Sequence, residues 1–185
     1  MVLIDLVNDS FQDERLARRR GDLVLATNRL VGSFRQSNQP IIWIRQEFKG
    51  DLSDAFLEMR KRDVRVTISG TPGAAFLDGL DVTPADRVIV KKRYSAFFGT
   101  ELDDVLAGLR PDALVIGGVN THACVRTTVI DAYQRDYEVI VASECVASYD
   151  EEHHEVTKRY LNGGIARFLS NAEIDELLLG TSKGP

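Results

Sequence analysis

The chain has 185 residues, of which 44% are apolar and 28% charged, the balance of a globular protein rather than of a disordered or fibrous one. Its 28 acidic residues outnumber its 23 basic ones and give a net charge of −5, which argues against a nucleic-acid partner. No apolar run approaches the roughly 20 residues of a membrane helix, and no signal peptide precedes the first strand-like run, so we expect no membrane partner and a cytoplasmic location. A single domain over residues 1–185 is the expected organisation.

Six short apolar runs rich in β-branched residues predict the strands of a sheet. They are nearly continuous in apolar character instead of alternating, which is typical of strands covered on both faces. Helical stretches separate them, so the sequence predicts right-handed crossovers and an α/β fold, a three-layer α/β/α sandwich with a mostly parallel six-stranded sheet. The runs are Val2–Ile4, Ile41–Ile44, Val88–Val90, Ala113–Ile116, Val139–Val141 and, more weakly, Arg167–Leu169.

Two of the intervening helices show a clear apolar face. One lies between the first two strands and is expected to end before Pro40. The other is expected to begin just after Gly117 and Gly118. The predicted faces are Leu23, Thr27, Leu30, Val31 and Phe34 in the first helix, and Val125, Val129, Ala132 and Tyr133 in the second.

Three other segments have a different character. The stretch from Phe48 to Thr83 is rich in Gly and Pro and is predicted to be a long excursion over the sheet, of the kind that often lines a site or a subunit interface. The basic cluster Arg15, Arg18, Arg19 and Arg20 is typical of a solvated helix face or a subunit contact. The tail, residues 180–185, is predicted to be frayed.

Three polar residues follow predicted strands, at the edge where open α/β sheets bind ligands. Asp5 ends the first run, Lys91 ends the third, and Cys124 opens the helix after the fourth. A helix N-terminus and a nearby lysine both favour the thiolate, and Asp5 could take the thiol proton and return it to a leaving group. Each residue also has a plainer interpretation: a core cysteine, a loop-capping aspartate and an exposed lysine. Three complementary groups at three strand ends favour a nucleophilic site.

Four segments, in order along the chain, resemble the isochorismatase-like cysteine hydrolases. This family includes nicotinamidases, N-carbamoylsarcosine amidases, ureidoacrylate and biuret amidohydrolases, and isochorismatases. The resemblance covers nearly the whole chain. The segments are Leu3–Phe11, Gly70–Gly73, Val90–Phe97 with Thr100 and Leu102, and Gly117–Val125.

The resemblance implies roles for individual residues. Asp5, Lys91 and Cys124 match the catalytic triad of the family. The peptide bond between Val119 and Asn120 is expected to be cis, and the backbone N–H groups of Asn120 and Cys124 are expected to form the oxyanion hole. The implied reaction is hydrolysis of a small amide or ureide C–N bond through a thioester.

Substrate contacts are harder to assign. Phe11, Arg93 and Tyr94 are the candidate substrate-binding residues, and Arg93 could meet a substrate carboxylate. Three other aromatic side chains could also line the pocket, although packing in the core is the plainer interpretation; they are Trp43, Phe48 and Phe97.

Departures from the family pattern bear on metals and cofactors. The nicotinamidases carry an Asp-x-His pair and a further His after the second strand, whereas no histidine occurs here before His122. We therefore expect no metal and no cofactor. His153 and His154 lie in an acidic run that is predicted to be an exposed helix start. Cys145 is predicted to be a buried structural residue, and both cysteines are expected to be free thiols.

Alternatives to C–N hydrolysis remain open at this point. One is vinyl-ether hydrolysis of the isochorismatase type, although the family members with that activity have glycine in place of Cys124. Another is a non-catalytic α/β module whose thiol senses oxidants. A third is a scaffold that builds dimers. The expected partners are a small-molecule substrate and further copies of the chain, in a homodimer or homotetramer.

Overall fold

A single sheet of six strands organises the structure. The computed structural model describes residues 1–181, and within them the strand order is β3-β2-β1-β4-β5-β6, with each neighbouring pair parallel. The predicted three-layer α/β/α sandwich is confirmed, and the sheet is parallel throughout the described residues. The strands are β1 Val2–Ile4, β2 Ile42–Gln46, β3 Arg87–Lys91, β4 Ala113–Val119, β5 Glu138–Ala147 and β6 Arg167–Leu169.

Helices cover both faces of the sheet. Because side chains alternate along a strand, Val2 and Ile4 of β1 belong to one core cluster and Leu3 to the other. The first cluster includes residues of α4, α5 and α6, and the second includes residues of α1, α2 and α7. The helices are α1 Glu14–Ala17, α2 Arg20–Gln36, α3 Leu57–Arg62, α4 Leu102–Leu109, α5 Arg126–Tyr133, α6 Glu151–Leu161 and α7 Asn171–Thr181.

Helix α2 matches its prediction, whereas the predicted frayed tail is helical in part. Helix α2 buries the five residues predicted from its spacing and ends before Pro40, as expected. Helix α7 extends to Thr181, so the first two residues of the predicted frayed tail are helical, and residues 182–185 lie outside the described residues. None of the helices in the described part of the chain combines the length and apolar character that crossing a membrane requires.

The start of the second predicted helix was placed wrongly. Gly117 and Gly118 lie within β4, which continues to Val119, and a π-helical turn over Thr121–Val125 precedes α5. Gly118 pairs with Ile4 of β1 and has φ 118°, and a Cβ at this position would collide with the Ile4 carbonyl oxygen. The two glycines therefore bring strands together instead of ending one.

The far end of α5 also differs from the prediction. Tyr133 is exposed, whereas Val125, Val129 and Ala132 are buried as expected. The buried face of α5 is formed by Thr128, Val129 and Ala132, and Tyr133, the last residue of the helix, lies at the rim of that face.

Strand β5 is much longer than the apolar run that predicted it. Between the pairs Ile116–Val141 and Gly118–Val146, β4 advances two residues while β5 advances five, so β5 carries an irregularity and then resumes its pairing. Cys145 lies inside this strand, not after it, and it is buried as predicted. Both cysteines are free.

The long segment between β2 and β3 is irregular, as predicted, apart from α3 and a short 3₁₀ turn at Pro72–Ala74. It has a small apolar cluster of its own. Two side chains of the segment Leu3–Phe11 hold it in place. Asn8 Nδ2 donates to the Pro72 carbonyl oxygen at 2.8 Å, and Asp9 Oδ2 accepts from the Thr67 N–H at 2.6 Å. A Cβ on Gly73 would collide with the Asp9 carboxylate, which explains the glycine there.

Candidate active site

Asp5, Lys91 and Cys124 meet at the carboxyl edge of the sheet. Lys91 Nζ lies 2.7 Å from Asp5 Oδ2 and 3.4 Å from Cys124 Sγ. The three residues are buried, Lys91 completely, so neither contact competes with bulk water. The structure thus brings together the three residues that the sequence predicted, from the ends of β1 and β3 and from the turn after β4.

Backbone groups hold the two charged members of this triad. Asp5 follows β1 in the left-handed region, with φ 55°, and its Oδ1 accepts the Gln46 N–H at 2.7 Å. The Asp5 N–H donates to the Ile44 carbonyl oxygen at 2.8 Å. Lys91 Nζ donates to the Arg93 carbonyl oxygen at 3.0 Å. These bonds fix the carboxylate and the ammonium before a substrate is bound, which is the preorganisation that catalysis needs.

The charge states of the site follow from these contacts. Burial acts to lower the pKa of Lys91, but the Asp5 carboxylate and Cys124 outweigh it and raise that pKa above its usual value. Burial raises the pKa of the Cys124 thiol, and Asp5 raises it further by its charge and a hydrogen bond, while Lys91 lowers it only in part. The sequence predicts that a helix start and a lysine favour the thiolate. Burial acts in the opposite direction and favours the protonated thiol.

The turn that carries Cys124 is held through Asn120. The bond between Val119 and Asn120 is cis. The Asn120 carbonyl oxygen accepts from the N–H groups of Ala123 at 3.0 Å and Val125 at 3.3 Å, and its side-chain Oδ1 accepts the Tyr149 N–H at 3.4 Å. The two residues predicted for the oxyanion hole, Asn120 and Cys124, therefore belong to one tightly bonded turn.

Two histidines link this turn to the segments that follow β5: His122 lies in the turn and contacts the loop after β5, and His154 lies in α6 and contacts the turn. His122 Nδ1 lies 2.6 Å from Ser148 Oγ, and burial lowers the pKa of His122. His154 Nδ1 lies 2.9 Å from Thr121 Oγ1. The prediction that His154 is exposed was wrong: it is buried at the start of α6 because the helix turns it toward Thr121, whereas His153 is exposed as expected.

A cluster of two glutamates and one of these histidines could be mistaken for a metal site. Glu151, His154 and Glu155 offer ligand atoms that lie within 4.8 Å of one another. Both carboxylates already have cationic partners, with Arg19 3.8 Å from Glu151 and Lys158 2.8 Å from Glu155. The arrangement is that of an ion-paired helix start. Arg19 is one of the clustered arginines predicted on a solvated face, and each of the others also pairs with a carboxylate.

The three candidate substrate-binding residues do not share one place. The Arg93 guanidinium lies 4.9 Å from the Phe56 ring and donates to the Asp54 carbonyl oxygen at 2.9 Å, and the Tyr94 ring lies 5.2 Å from Phe56. Arg93 and Tyr94 thus contact the long segment between β2 and β3. Phe11 packs in the core cluster on the α2 side, whereas Cys124 belongs to the other cluster.

Neither the remaining aromatic residues nor the cavities mark the site. Trp43, Phe48 and Phe97 are buried in the core clusters, which is the plainer of the two interpretations. Two open cavities, of about 890 Å³ and 510 Å³, lie at the opposite edge of the sheet, around Pro40, and neither is lined by a triad residue. The candidate site is therefore identified by its convergent polar groups and not by either of these two cavities.

Sequence reasoning missed two groups that support the triad. The Gln46 N–H binds Asp5, and the buried Thr128 hydroxyl donates to the Cys124 carbonyl oxygen at 2.8 Å. A backbone donor has no sequence signal of its own. Thr128 does have one, since a threonine four residues after a helical residue can bond to its carbonyl.

Comparisons with known proteins identify the family of the chain. A family model described as Isochorismatase domain matches residues 1–173. A protein of Arabidopsis thaliana named Probable inactive nicotinamidase is 35% identical over 162 residues, covering 83% of each chain. A ureidoacrylate amidohydrolase of Methylorubrum extorquens is 30% identical over 140 residues, 67% of this chain and 56% of the relative. The crystal structure of an isochorismatase family protein from Desulfovibrio vulgaris matches with a TM-score of 0.87 and 25% identity over 96% of both chains. The chain therefore belongs to the isochorismatase family of hydrolases.

Proposed function

We propose that this chain is a cysteine-dependent hydrolase that cleaves the C–N bond of a small amide or ureide through a thioester. The observation that carries the proposal is the buried contact of Lys91 Nζ with both Asp5 Oδ2 and Cys124 Sγ. A thiol in this setting has a proton acceptor and a counter-charge within reach, as a nucleophile requires. A family relative named as an amidohydrolase of ureidoacrylate supports the class of bond.

Acylation begins with the Cys124 thiol protonated, because burial raises its pKa. Asp5 takes the thiol proton as Sγ attacks the substrate carbonyl carbon, and the π electrons of the carbonyl move to its oxygen. Lys91 remains charged and stabilises the carboxylate and the developing thiolate. The N–H groups of Asn120 and Cys124 are the proposed donors to the oxyanion, and one such donor contributes about 3 kcal/mol.

Collapse of the tetrahedral intermediate breaks the C–N bond. Asp5 returns the proton to the leaving nitrogen, ammonia or an amine departs, and the acyl group stays on Cys124 as a thioester. Asp5 then accepts a proton from a water molecule as that water attacks the thioester carbon. The C–S bond breaks, the thiol regains its proton, and the acid product leaves.

The alternative functions have weaker support. A vinyl-ether hydrolase of this family would not need the cysteine, yet Cys124 contacts Lys91 at 3.4 Å. A redox sensor needs an accessible thiolate, whereas Cys124 is buried and its thiol pKa is raised. A cytoplasmic location stays a prediction.

Ammonia release from a panel of small amides and ureides tests the proposal. Suitable compounds are nicotinamide, maleamate, ureidoacrylate and N-carbamoylsarcosine. Wild type is expected to turn over at least one of them, and Cys124→Ala is expected to lose at least about 10³-fold in kcat, as nucleophile removal does elsewhere. Cys145→Ala, which alters the other buried free cysteine, is the matched control and should keep wild-type kcat. Equal turnover by Cys124→Ala and Cys145→Ala would refute the proposal.

A further inference from the structure

Thr128 is a buried residue whose hydroxyl joins the two segments that carry Cys124 and Lys91. It lies in α5, and its Oγ1 donates to the Cys124 carbonyl oxygen at 2.8 Å. The same oxygen accepts the Ala96 N–H at 3.0 Å. Thr128 and Ala96 are 1% and 0% exposed, so water does not compete for these bonds. One hydroxyl therefore links the backbone of the nucleophile to the segment that follows β3.

This segment determines where the Lys91 ammonium lies. Lys91 Nζ donates to the Arg93 carbonyl oxygen at 3.0 Å while it contacts Cys124 Sγ at 3.4 Å. Ala96 is three residues beyond Arg93 in the same segment, so its bond to Thr128 holds that segment next to the Cys124 backbone. A shift of the segment would move the Lys91 ammonium relative to the Cys124 sulfur. Displacements of that kind are costly in catalysis even when they originate outside the reacting groups.

We propose that Thr128 is a positioning residue that sets the distance between Lys91 and Cys124. The inference rests on the proposed function of that pair. Thr128 has no contact with a substrate in this account and acts through the Cys124 carbonyl and the Ala96 N–H.

The neighbouring Thr127 provides a matched control. Its Oγ1 donates to the Ala123 carbonyl oxygen at 2.8 Å, in the same i−4 geometry, but within residues 1–181 it has no second hydrogen-bond partner. Thr127→Val and Thr128→Val therefore remove the same group from adjacent positions of one helix. Only the second leaves the Ala96 N–H buried without its acceptor.

Steady-state kinetics is the first test, with the panel compound that gives the highest turnover and at a temperature where circular dichroism shows every variant folded. Thr128→Val is expected to lower kcat by about 10-fold to 100-fold with KM little changed, since the substrate would still bind but Lys91 and Cys124 would be displaced from each other. Thr128→Ser keeps the bridging hydroxyl and should restore kcat to within about 3-fold of wild type. Thr127→Val should match wild type.

Alkylation of Cys124 by iodoacetamide is the second test, because it needs no substrate and a purely structural role would not alter its pH profile. Lys91 lowers the pKa of the Cys124 thiol, so a lost contact raises that pKa. The rate measured over a series of alkaline pH values, with the modified peptide identified by mass spectrometry, should give a profile displaced to higher pH in Thr128→Val and not in Thr127→Val. Wild-type kcat together with a wild-type alkylation profile in Thr128→Val would overturn the inference. Activity retained by Cys124→Ala would instead overturn the proposed function, so the two failures are distinguishable.

Discussion

Lys91 is a cation with no exposed surface, and its surroundings explain why it can remain charged. Its ammonium contacts the Asp5 carboxylate at 2.7 Å and donates to the Arg93 carbonyl oxygen at 3.0 Å. Moving a charge from water into the protein interior costs free energy, and only such close partners offset that cost. Lys91 therefore stabilises the buried carboxylate as well as the sulfur that it contacts.

Replacing Lys91 with methionine keeps most of the side-chain volume and removes the charge. The Asp5 carboxylate would then be buried without its cation, and the free energy of unfolding should fall by about 3–5 kcal/mol. Urea unfolding followed by circular dichroism measures this change. The control is Lys92→Met, since Lys92 pairs with Asp54 at 2.9 Å but is partly exposed, and it should cost no more than about 1 kcal/mol. Equal losses in the two variants would show that the buried pair has no special role in stability.

At the scale of secondary-structure elements, the close approach of β1 and β4 positions the site. Gly118 of β4 pairs with Ile4 of β1. Asp5 directly follows Ile4, and Gly118 lies shortly before Asn120, where the turn that carries Cys124 begins. A side chain at this glycine would push the two strands apart. The carboxylate and the thiol would separate with them.

Gly118→Ala is therefore expected to be severely destabilising, by more than about 4 kcal/mol, because it combines a collision with the Ile4 backbone and an unfavourable φ. Gly108→Ala is the control, since Gly108 lies in α4 with open space around the position of its Cβ. That change should stabilise by about 0.5–1 kcal/mol, because alanine favours the helix. Thermal unfolding of both variants decides the matter, and an unchanged Tm in Gly118→Ala would contradict this account of the strand contact.

Most elements could be predicted from the sequence, and the failures have local causes. Apolar runs gave all six strands, and α2 buries the predicted residues. The run that predicted β5 ended at Val141 because the polar pair Ser143 and Glu144 interrupts it, although the strand continues past that pair. The helix start predicted just after Gly117 and Gly118 is wrong because the tight packing of these glycines against β1 depends on a distant part of the chain.

The candidate site was predictable in part for a related reason. Polar residues at the ends of parallel strands must share one edge of the sheet, so the meeting of Asp5 and Lys91 follows from topology. The upward shift of the Cys124 pKa did not follow, because burial depends on the packing of the whole fold. The Gln46 and Thr128 contacts also depend on tertiary packing, which a local pattern does not determine.

At the scale of the whole molecule, β3 leaves one surface of the sheet uncovered. It is an edge strand, and Val88 and Val90 on its outward face are 39% and 36% exposed. Phe98, in the segment after β3, is 65% exposed. Apolar side chains beside an unpaired strand edge favour association with another chain.

The homodimer or homotetramer predicted from the sequence is therefore expected to form through this surface. Multi-angle light scattering during size-exclusion chromatography should give at least twice the 20.6 kDa mass of one chain, about 41 kDa for a dimer, by the isologous pairing usual in such oligomers. Val88→Lys should shift the mass toward the monomer, whereas Leu25→Lys, at an exposed position of α2, should not. A monomeric wild type at micromolar concentration would contradict this prediction.

The most direct test of the central claim is to detect the acyl group on Cys124 itself. Rapid acid quenching of the enzyme during turnover, followed by intact-mass and peptide mass spectrometry, should show the mass of the acyl part of the substrate on the peptide that contains Cys124. The adduct should be absent from Cys124→Ala. Turnover by wild type with no adduct on this peptide, together with full activity in Cys124→Ala, would contradict the proposal that this sulfur is the nucleophile.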